Sequence, residues 1–439
     1  MAGNFGTTLL AEASRLLSTA GVDPAIAPKV LAPLALASIE QAARHGPAKA
    51  LTGPFARGDA ATIAGHLKVL DEKAPQLGAV AITGALARAK VSVEQVDEVY
   101  MGCVLAAGQG QAPARQAALG AGLPMSVPCT TVNKMCGSGM QTTIMGYNAI
   151  KAGSAQVMVC GGMESMTNAP YLLPKVRQGM RMGHGQMLDH MFFDGLEDAY
   201  KGGLMGSFAQ GTADDYGLSR EAMDKFAIGS LSKANAAIAN GDLDGEITPV
   251  DIVSRKGTTT VAVDEQPGQA RIDKIPQLRA AFKKDGTITA ANASSISDGA
   301  SALVLASSEA VEQQGLTPSA RIMGVQSFAR EPSEFTIAPI GAIEGLLTKL
   351  GWQVADVDLF EINEAFAMVT MLAISELGSD ANKVNIYGGA CAQGHPIGST
   401  GSRIILTLMT ALKNKGLKRG VAALCIGGGE ATAVAIELV

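Results

Sequence analysis

The sequence predicts an α/β protein built of two similar halves, and three observations carry that reading. From about Ala74 onward, short β-branched runs such as VEQVDEVYMG, SAQVMVCGG and ASALVLASS alternate with Ala-rich segments of helical texture. Part of this alternation recurs. VEQVDEVYMG from Val93 is echoed by VADVDLFEIN from Val354, and TTVNKMCGSGMQTTIMGYNAI around Cys136 by NKVNIYGGACAQGHPIGSTGSRIILTL around His395. Composition agrees, because 47% of the 439 residues are apolar, only 4% are aromatic and 52 are Gly, so layers of small residues can approach closely.

Taken in order, residues 5–20, 24–44 and 59–73 carry apolar side chains at three- and four-residue spacing. Residues 1–73 therefore read as a helical appendage without a strand. The first half runs from 74 to 312. Within it, roughly 165–289 is Met-, Gly- and charge-rich (KVRQGMRMGHGQMLDHMFFDGLEDAY) and too irregular for a third copy, which predicts an inserted loop domain. The second half is 313–439. Each copy of the longer repeat reads as a strand ending in Val-Asn, a Gly-rich turn and a helix.

A net charge of −5 supplies no broad positive field, so nucleic acid is not an expected partner and any phosphate-bearing substrate must be held locally. No uncharged apolar stretch reaches the roughly 20 residues of a membrane span, and the N-terminus has no secretory pattern. Six cysteines without a CxxC pair suit reduced thiols, so a soluble cytoplasmic protein is expected. The five His are dispersed with no paired ligands, so no metal is expected, and no GxGxxG follows a first strand.

Three reactive side chains stand on glycine-rich turns. Cys136, in VNKMCGSGM, opens a helix after a strand, where N–H groups and the helix dipole are expected to lower the thiol pKa. His395, in GGACAQGHPIGSTG, occupies the equivalent turn of the second half, and pseudo-symmetric halves bring equivalent turns together. A Cys–His pair is one arrangement that activates a thiol. Cys425, in VAALCIGGGEATAVAIEL, ends a buried strand that runs through three glycines into a second strand, and could serve as acid or base. Asn363, in EINEAFAMV, reads either as a helix N-cap or as an amide fixing a water.

In order, VNKMCGSG, GGMESM, NEAFA, GGACAQGHPIGSTG and CIGGG resemble the motifs of the thiolase family over about residues 74–439. The resemblance implies the five-layered αβαβα thiolase fold, a homotetramer or homodimer, and acetyl-CoA, acetoacetyl-CoA and CoA as partners with no further cofactor. It implies an acetyl-CoA C-acetyltransferase working through a ping-pong acyl-enzyme. Cys136 would be the nucleophile, His395 and Cys425 the acid–base groups, Asn363 the holder of a water, and the N–H groups of Cys136 and Gly427 the oxyanion donors. ANASSISDGA places a pantetheine contact on Ser294, Arg181 to Asp194 resembles a substrate cover, and Phe335, Ala365 and Phe366 would line the acyl end.

The resemblance also implies a first strand, central in the N-terminal sheet, and an Arg-Thr-Pro turn, neither of which stands before APQLGAVAITGAL. Residues 1–73, with ALTGPFARGDAATIAGHL, instead resemble the helical C-terminal domain of a Rossmann-like reductase family whose nucleotide-binding half is missing, so NAD(P) is not expected. A 3-ketoacyl-CoA thiolase of broader chain length and an impaired fusion are the alternative readings.

Overall fold

Strands of this chain alternate their side chains between two different cores. The structure is a computed structural model and describes residues 74–254 and 257–439. The helices expected over residues 1–73 lie outside the described residues. In β3 (Val157–Ser165), Val157, Val159 and Met163 join one buried cluster, while Met158 and Cys160 join another. In β11 (Arg419–Ile426), Val421 and Ala423 face one cluster and Ala422 and Leu424 the other. A period of two with both faces apolar is the mark of a strand covered on both sides.

Two four-stranded sheets result. The first has the order β2 (Cys129–Val132), β1 (Glu98–Gly102), β3 and β8 (Asp298–Ala306); the second has β10 (Leu359–Ile362), β11, β12 (Glu430–Leu438) and β9 (Ala320–Ala329). In the first sheet β8 runs antiparallel to β3, and in the second β12 runs antiparallel to both β11 and β9. Between the sheets lie α3 (Ser138–Lys151) and α11 (Thr400–Lys415), which contribute Met140, Ile144, Ile404, Ile405, Leu408 and Leu412 to the shared cluster. Outside the first sheet are α1 (Ala74–Ala89) and α2 (Pro113–Gly120), and outside the second are α8 (Ala338–Leu350) and α9 (Ala367–Leu377). Five layers, αβαβα, follow from where these side chains are buried.

The internal repeat is visible down to single hydrogen bonds. Asp97 Oδ2 accepts the N–H groups of Gln156 and Val157 at 2.6 and 2.9 Å, and Asp358 Oδ2 accepts those of Lys418 and Arg419 at 3.0 and 2.8 Å. Ser92 N–H donates to Gln95 and Gln353 N–H to Asp356, so the turn before β1 and the turn before β10 close alike. One expected strand is reduced. Val132 ends a true strand, but Val384 forms only a single bridge to Phe360. Asn385 takes a left-handed φ of 46°, and its side-chain amide exchanges two 2.8 Å bonds with the backbone of Ile362 in place of further ladder.

The insertion leaves β3 at Ser165 and returns at β8, close to the limits read from composition, and it is less irregular than expected. It holds α4 (Met205–Asp215), α5 (Arg220–Asn240), the short α6 (Glu265–Gln269) and two two-stranded ribbons, β4 (Tyr171–Leu172) with β5 (Leu188–Asp189) and β6 (Val250–Ser254) with β7 (Gly257–Val261). The boundary placed at 312 falls inside α7 (Ser308–Gln314). That helix ends on Gly315 in the left-handed region, so the halves part at the connection to β9.

The first strand needs correction. In the second half, the strand that precedes α8 is β9, and it lies at the outer side of β12. By the repeat, its counterpart belongs beside β8, at the edge and not in the centre. Among the described residues β2, β1, β3 and β8 form an unbroken ladder, which leaves no central place for that strand.

The two central helices meet through reciprocal glycines, each the second residue of its helix. A Cβ on Gly139 would lie 2.7 Å from Ser402 Oγ and 2.9 Å from Ser399 O, and one on Gly401 would lie 2.2 Å from Met140 N. Gly139→Ala and Gly401→Ala are each expected to destabilise the fold by about 1–3 kcal/mol through forced separation of backbones. Gly229→Ala, in α5 with open space around its Cβ, should instead be neutral or gain up to about 1 kcal/mol from helix propensity. Denaturant or thermal melts of the three variants check this, and equal shifts would contradict it.

Candidate active site

Between β2 and α3 the chain makes a turn whose shape is enforced by its own side chains. Asn133 Oδ1 accepts Met135 N–H at 3.0 Å, and the Ser138 hydroxyl accepts Lys134 N–H at 2.9 Å while donating to Met135 O at 2.6 Å. Met135 is held at φ 48°, a conformation that costs a non-Gly residue on the order of 1 kcal/mol. Cys136 follows directly, half-buried beside Leu105, Val104 and Ile397. Gly137 can have no side chain there, since its Cβ would lie 2.4 Å from Ile426 Cδ1 at the end of β11.

The backbone N–H groups of Gly427 and of Cys136 itself act to lower the Cys136 thiol pKa. The expectation of a lowered thiol pKa fails nonetheless. Burial outweighs both donors and pushes it up to about 11, with Glu164 adding to the rise. The thiol is therefore neutral at rest.

His395 is buried and held at one nitrogen. Nδ1 lies 2.6 Å from Thr400 Oγ1, and that hydroxyl donates onward to Pro396 O at 3.0 Å. Having spent its proton, the hydroxyl accepts from Nδ1–H, which leaves Nε2 as the free base. Burial, aided by the Arg403 charge, holds the imidazole pKa near 3, so His395 is neutral as well. Nε2 faces Asn363 Nδ2 at 3.5 Å, and among the described residues it makes no hydrogen bond to Cys136. Among the described residues the buried Asn363 Oδ1 has no partner. An orphaned acceptor of this kind suits a water or a substrate donor, so the amide reads better as a polar contact than as a helix cap: α9 has Phe366 at its cap position.

The turn carrying His395 is tied down from two sides. Glu364 accepts Ser230 Oγ–H at 2.7 Å, Asn385 Nδ2–H at 2.9 Å and Cys391 N–H at 3.1 Å, and Gly389 donates to Ser230 Oγ at 2.9 Å. Glu164 accepts Gly398 N–H at 2.9 Å. Cys425, the last residue but one of β11, is fully buried, and burial first and the neighbouring Cys136 second raise its pKa far above the usual thiol range.

Phe335, Ala365, Phe366 and Cys425 share one buried cluster, with Phe335 edge-on to Phe366 at 6.5 Å. Ser294 lies next to them, but its hydroxyl donates to Ala365 O at 3.0 Å, so it holds the NEAFA backbone in this structure. Arg181–Met187 is exposed, whereas His190 is buried, bonded to Asp194 at 2.6 Å and accepting Ala107 N–H at 3.3 Å. Sequence reasoning missed Thr400, Glu164, Ser230 and Phe282, the last edge-on to Phe366 at 6.2 Å. Only Thr400 carried a signal, as the first residue of the helix that follows the His395 turn.

Both halves of the chain are similar to known proteins. The model of the thiolase N-terminal domain matches residues 56–309 and that of the thiolase C-terminal domain residues 316–438. A domain of unknown function (DUF2520) matches residues 1–81, so the boundary drawn at residue 73 falls inside the overlap of two matches. An acetyl-CoA acetyltransferase of Schizosaccharomyces pombe is 48% identical over 368 residues, 83% of this chain and 93% of that protein. One of Cupriavidus necator is 48% identical over 366 residues with the same coverage. A crystal structure of the Acat5 thiolase from Ascaris suum in complex with coenzyme A superposes with a TM-score of 0.80 at 40% identity, covering 84% of this chain and 95% of that one. With both halves of the fold and the ordered motifs accounted for, the chain belongs to the thiolase family.

Proposed function

We propose that this acyltransferase condenses two acetyl-CoA to acetoacetyl-CoA and CoA, or runs the reverse thiolysis, through an acetyl thioester on Cys136. The observation that carries the reading is a thiol, Cys136, just before a central helix, with the Cys425 thiol as its neighbour and the facing central helix opening on the His395 turn. As Cys136 Sγ attacks the thioester carbonyl, its proton passes to His395 Nε2, and the departing CoA thiolate takes the Cys425 proton, which leaves Cys425 as the thiolate base. The N–H groups of Cys136 and Gly427 then meet the oxyanion, each donor stabilising it by about 2–4 kcal/mol. In the second half-reaction Cys425 takes the α-proton of the incoming acetyl-CoA. His395 and a water on Asn363 Oδ1 stabilise the enolate oxygen, and the nucleophilic carbon breaks the acetyl–Cys136 bond. No cofactor beyond the CoA thioesters takes part.

A short acyl group fits the aromatic wall of Phe335, Phe366 and Phe282 beyond Cys425, and Ser294 stands where the pantetheine arm would pass. The chain acts as a homotetramer or homodimer in the cytoplasm in this reading, the compartment named for a 45%-identical acetyltransferase of Gibberella zeae. Incubation with radiolabelled acetyl-CoA, followed by peptide mapping, tests the reading directly: label is expected on Cys136.

Cys136→Ala should abolish both labelling and turnover, and label persisting in that variant would refute the assignment. Cys425→Ala should keep acylation within a few-fold while condensation falls by about 10²–10⁴, the usual worth of a positioned acid–base group; single-turnover acylation and steady-state condensation separate the two. With a thiol pKa about 11 and no imidazolium partner at rest, alkylation of Cys136 by iodoacetamide should rise about tenfold per pH unit from 7 to 10. A rate already flat at neutral pH would show a preformed thiolate–imidazolium pair.

A further inference from the structure

One motif, GGMESM, has no part in the reaction above, yet its Glu164 sits where the two halves join. The side chain is fully buried near the end of β3. A buried carboxylate costs several kcal/mol unless it is paired, and among the described residues no Lys, Arg or His reaches it. Three N–H groups do. Oε1 accepts Leu105 N–H at 3.0 Å, and Oε2 accepts Val104 N–H at 3.0 Å and Gly398 N–H at 2.9 Å.

Those donors come from two different places. Val104 and Leu105 follow β1 and wall the Cys136 thiol, whereas Gly398 belongs to the His395 turn of the other half. The fit has no slack: a Cβ on Gly398 would lie 2.6 Å from Met163 O and 2.7 Å from Glu164 Oε2, and one on Gly162 would lie 1.9 Å from Gly398 O. The repeat sharpens the point. Counted along β3 and β11 from Val157 and Arg419, Glu164 falls at Ile426, the residue that abuts Gly137 in the nucleophile turn. Each strand end therefore presses on the turn of the opposite half, one through an apolar side chain and the other through a carboxylate.

We propose that Glu164 is a positioning residue whose carboxylate clamps the His395 turn to the wall of the Cys136 pocket and so sets the distance between imidazole and thiol. The clamp rests on the assignment of Cys136 and His395 made above. Glu164→Gln keeps the shape but turns an NH₂ against a backbone N–H that the carboxylate accepted. A displacement on the order of 1 Å in such a pair costs roughly 10²-fold in rate.

The test measures kcat per Cys136 that takes label from acetyl-CoA, together with KM, in wild type, Glu164→Gln and Gly398→Ala, where the added methyl strikes the clamp from the other side. Expected is a fall in kcat per labelled site of about 10- to 100-fold, with KM for acetyl-CoA changed less than about threefold. Unchanged kcat per labelled site with a lower melting temperature would overturn the clamp and leave Glu164 to the fold alone. If Glu164→Gln does not fold, Gly398→Ala decides by the same two outcomes. Wild-type protein that takes no label on Cys136 removes the assignment of the nucleophile, and the clamp with it.

Discussion

The contact between the first turns of α3 and α11 is the constraint on which the rest of the structure depends. Both helices lie between two sheets, and their backbones touch only because Gly139 and Gly401 have no Cβ. Any side chain at either position would push apart the two helix starts, and with them the turns that carry Cys136 and His395. Close packing transmits such a shift, because the shared cluster of Met140, Ile144, Ile404 and Leu408 has no room to absorb it. The site is thus a property of the interface between halves and belongs to neither alone.

That burial sets the chemistry as much as the geometry. Burial, with Glu164 acting on Cys136 and the Arg403 charge on His395, keeps both groups neutral. In the proposed reaction charge then appears only when a thioester carbonyl is present to receive it. Preorganised donors in a dry site are worth more than the same donors in water, and the resting enzyme does not carry an ion pair whose desolvation must be offset elsewhere.

Much of this was legible in the sequence. The echo of VEQVDEVYMG in VADVDLFEIN marked two copies of one turn-and-strand unit, and the structure repeats it to the hydrogen bonds of Asp97 and Asp358. Gly-rich turns around Cys136, His395 and Gly427 marked where backbones approach closely. What escaped were effects that local pattern does not encode. The thiol pKa rises because distant segments bury it. Thr400 fixes the tautomer from the far side of the ring, and Glu164 reaches Gly398 across 234 positions of chain. Val384 looked like a strand by composition, and the Asn385 amide replaced its ladder.

The same repeat decides what a missing first strand means. A central strand removed from a parallel sheet would orphan backbone groups on two facing edges, each costing about 1–3 kcal/mol if buried, enough together to rival a domain's stability of roughly 5–15 kcal/mol. The second half shows a different place for it, because β9 pairs only with β12 and the ladder β10–β11–β12 is complete without it. In the first half the corresponding ladder β2–β1–β3–β8 is likewise complete, and β3, which carries Glu164, pairs with β8 along its length and with β1 over Met158–Gly162. The helix α1 that follows the strand's place packs against β8 and β3 directly. The place of that strand is therefore the outer side of β8, two strands removed from β1. The central helices, the glycines between them and the turns they aim do not depend on what pairs with that edge.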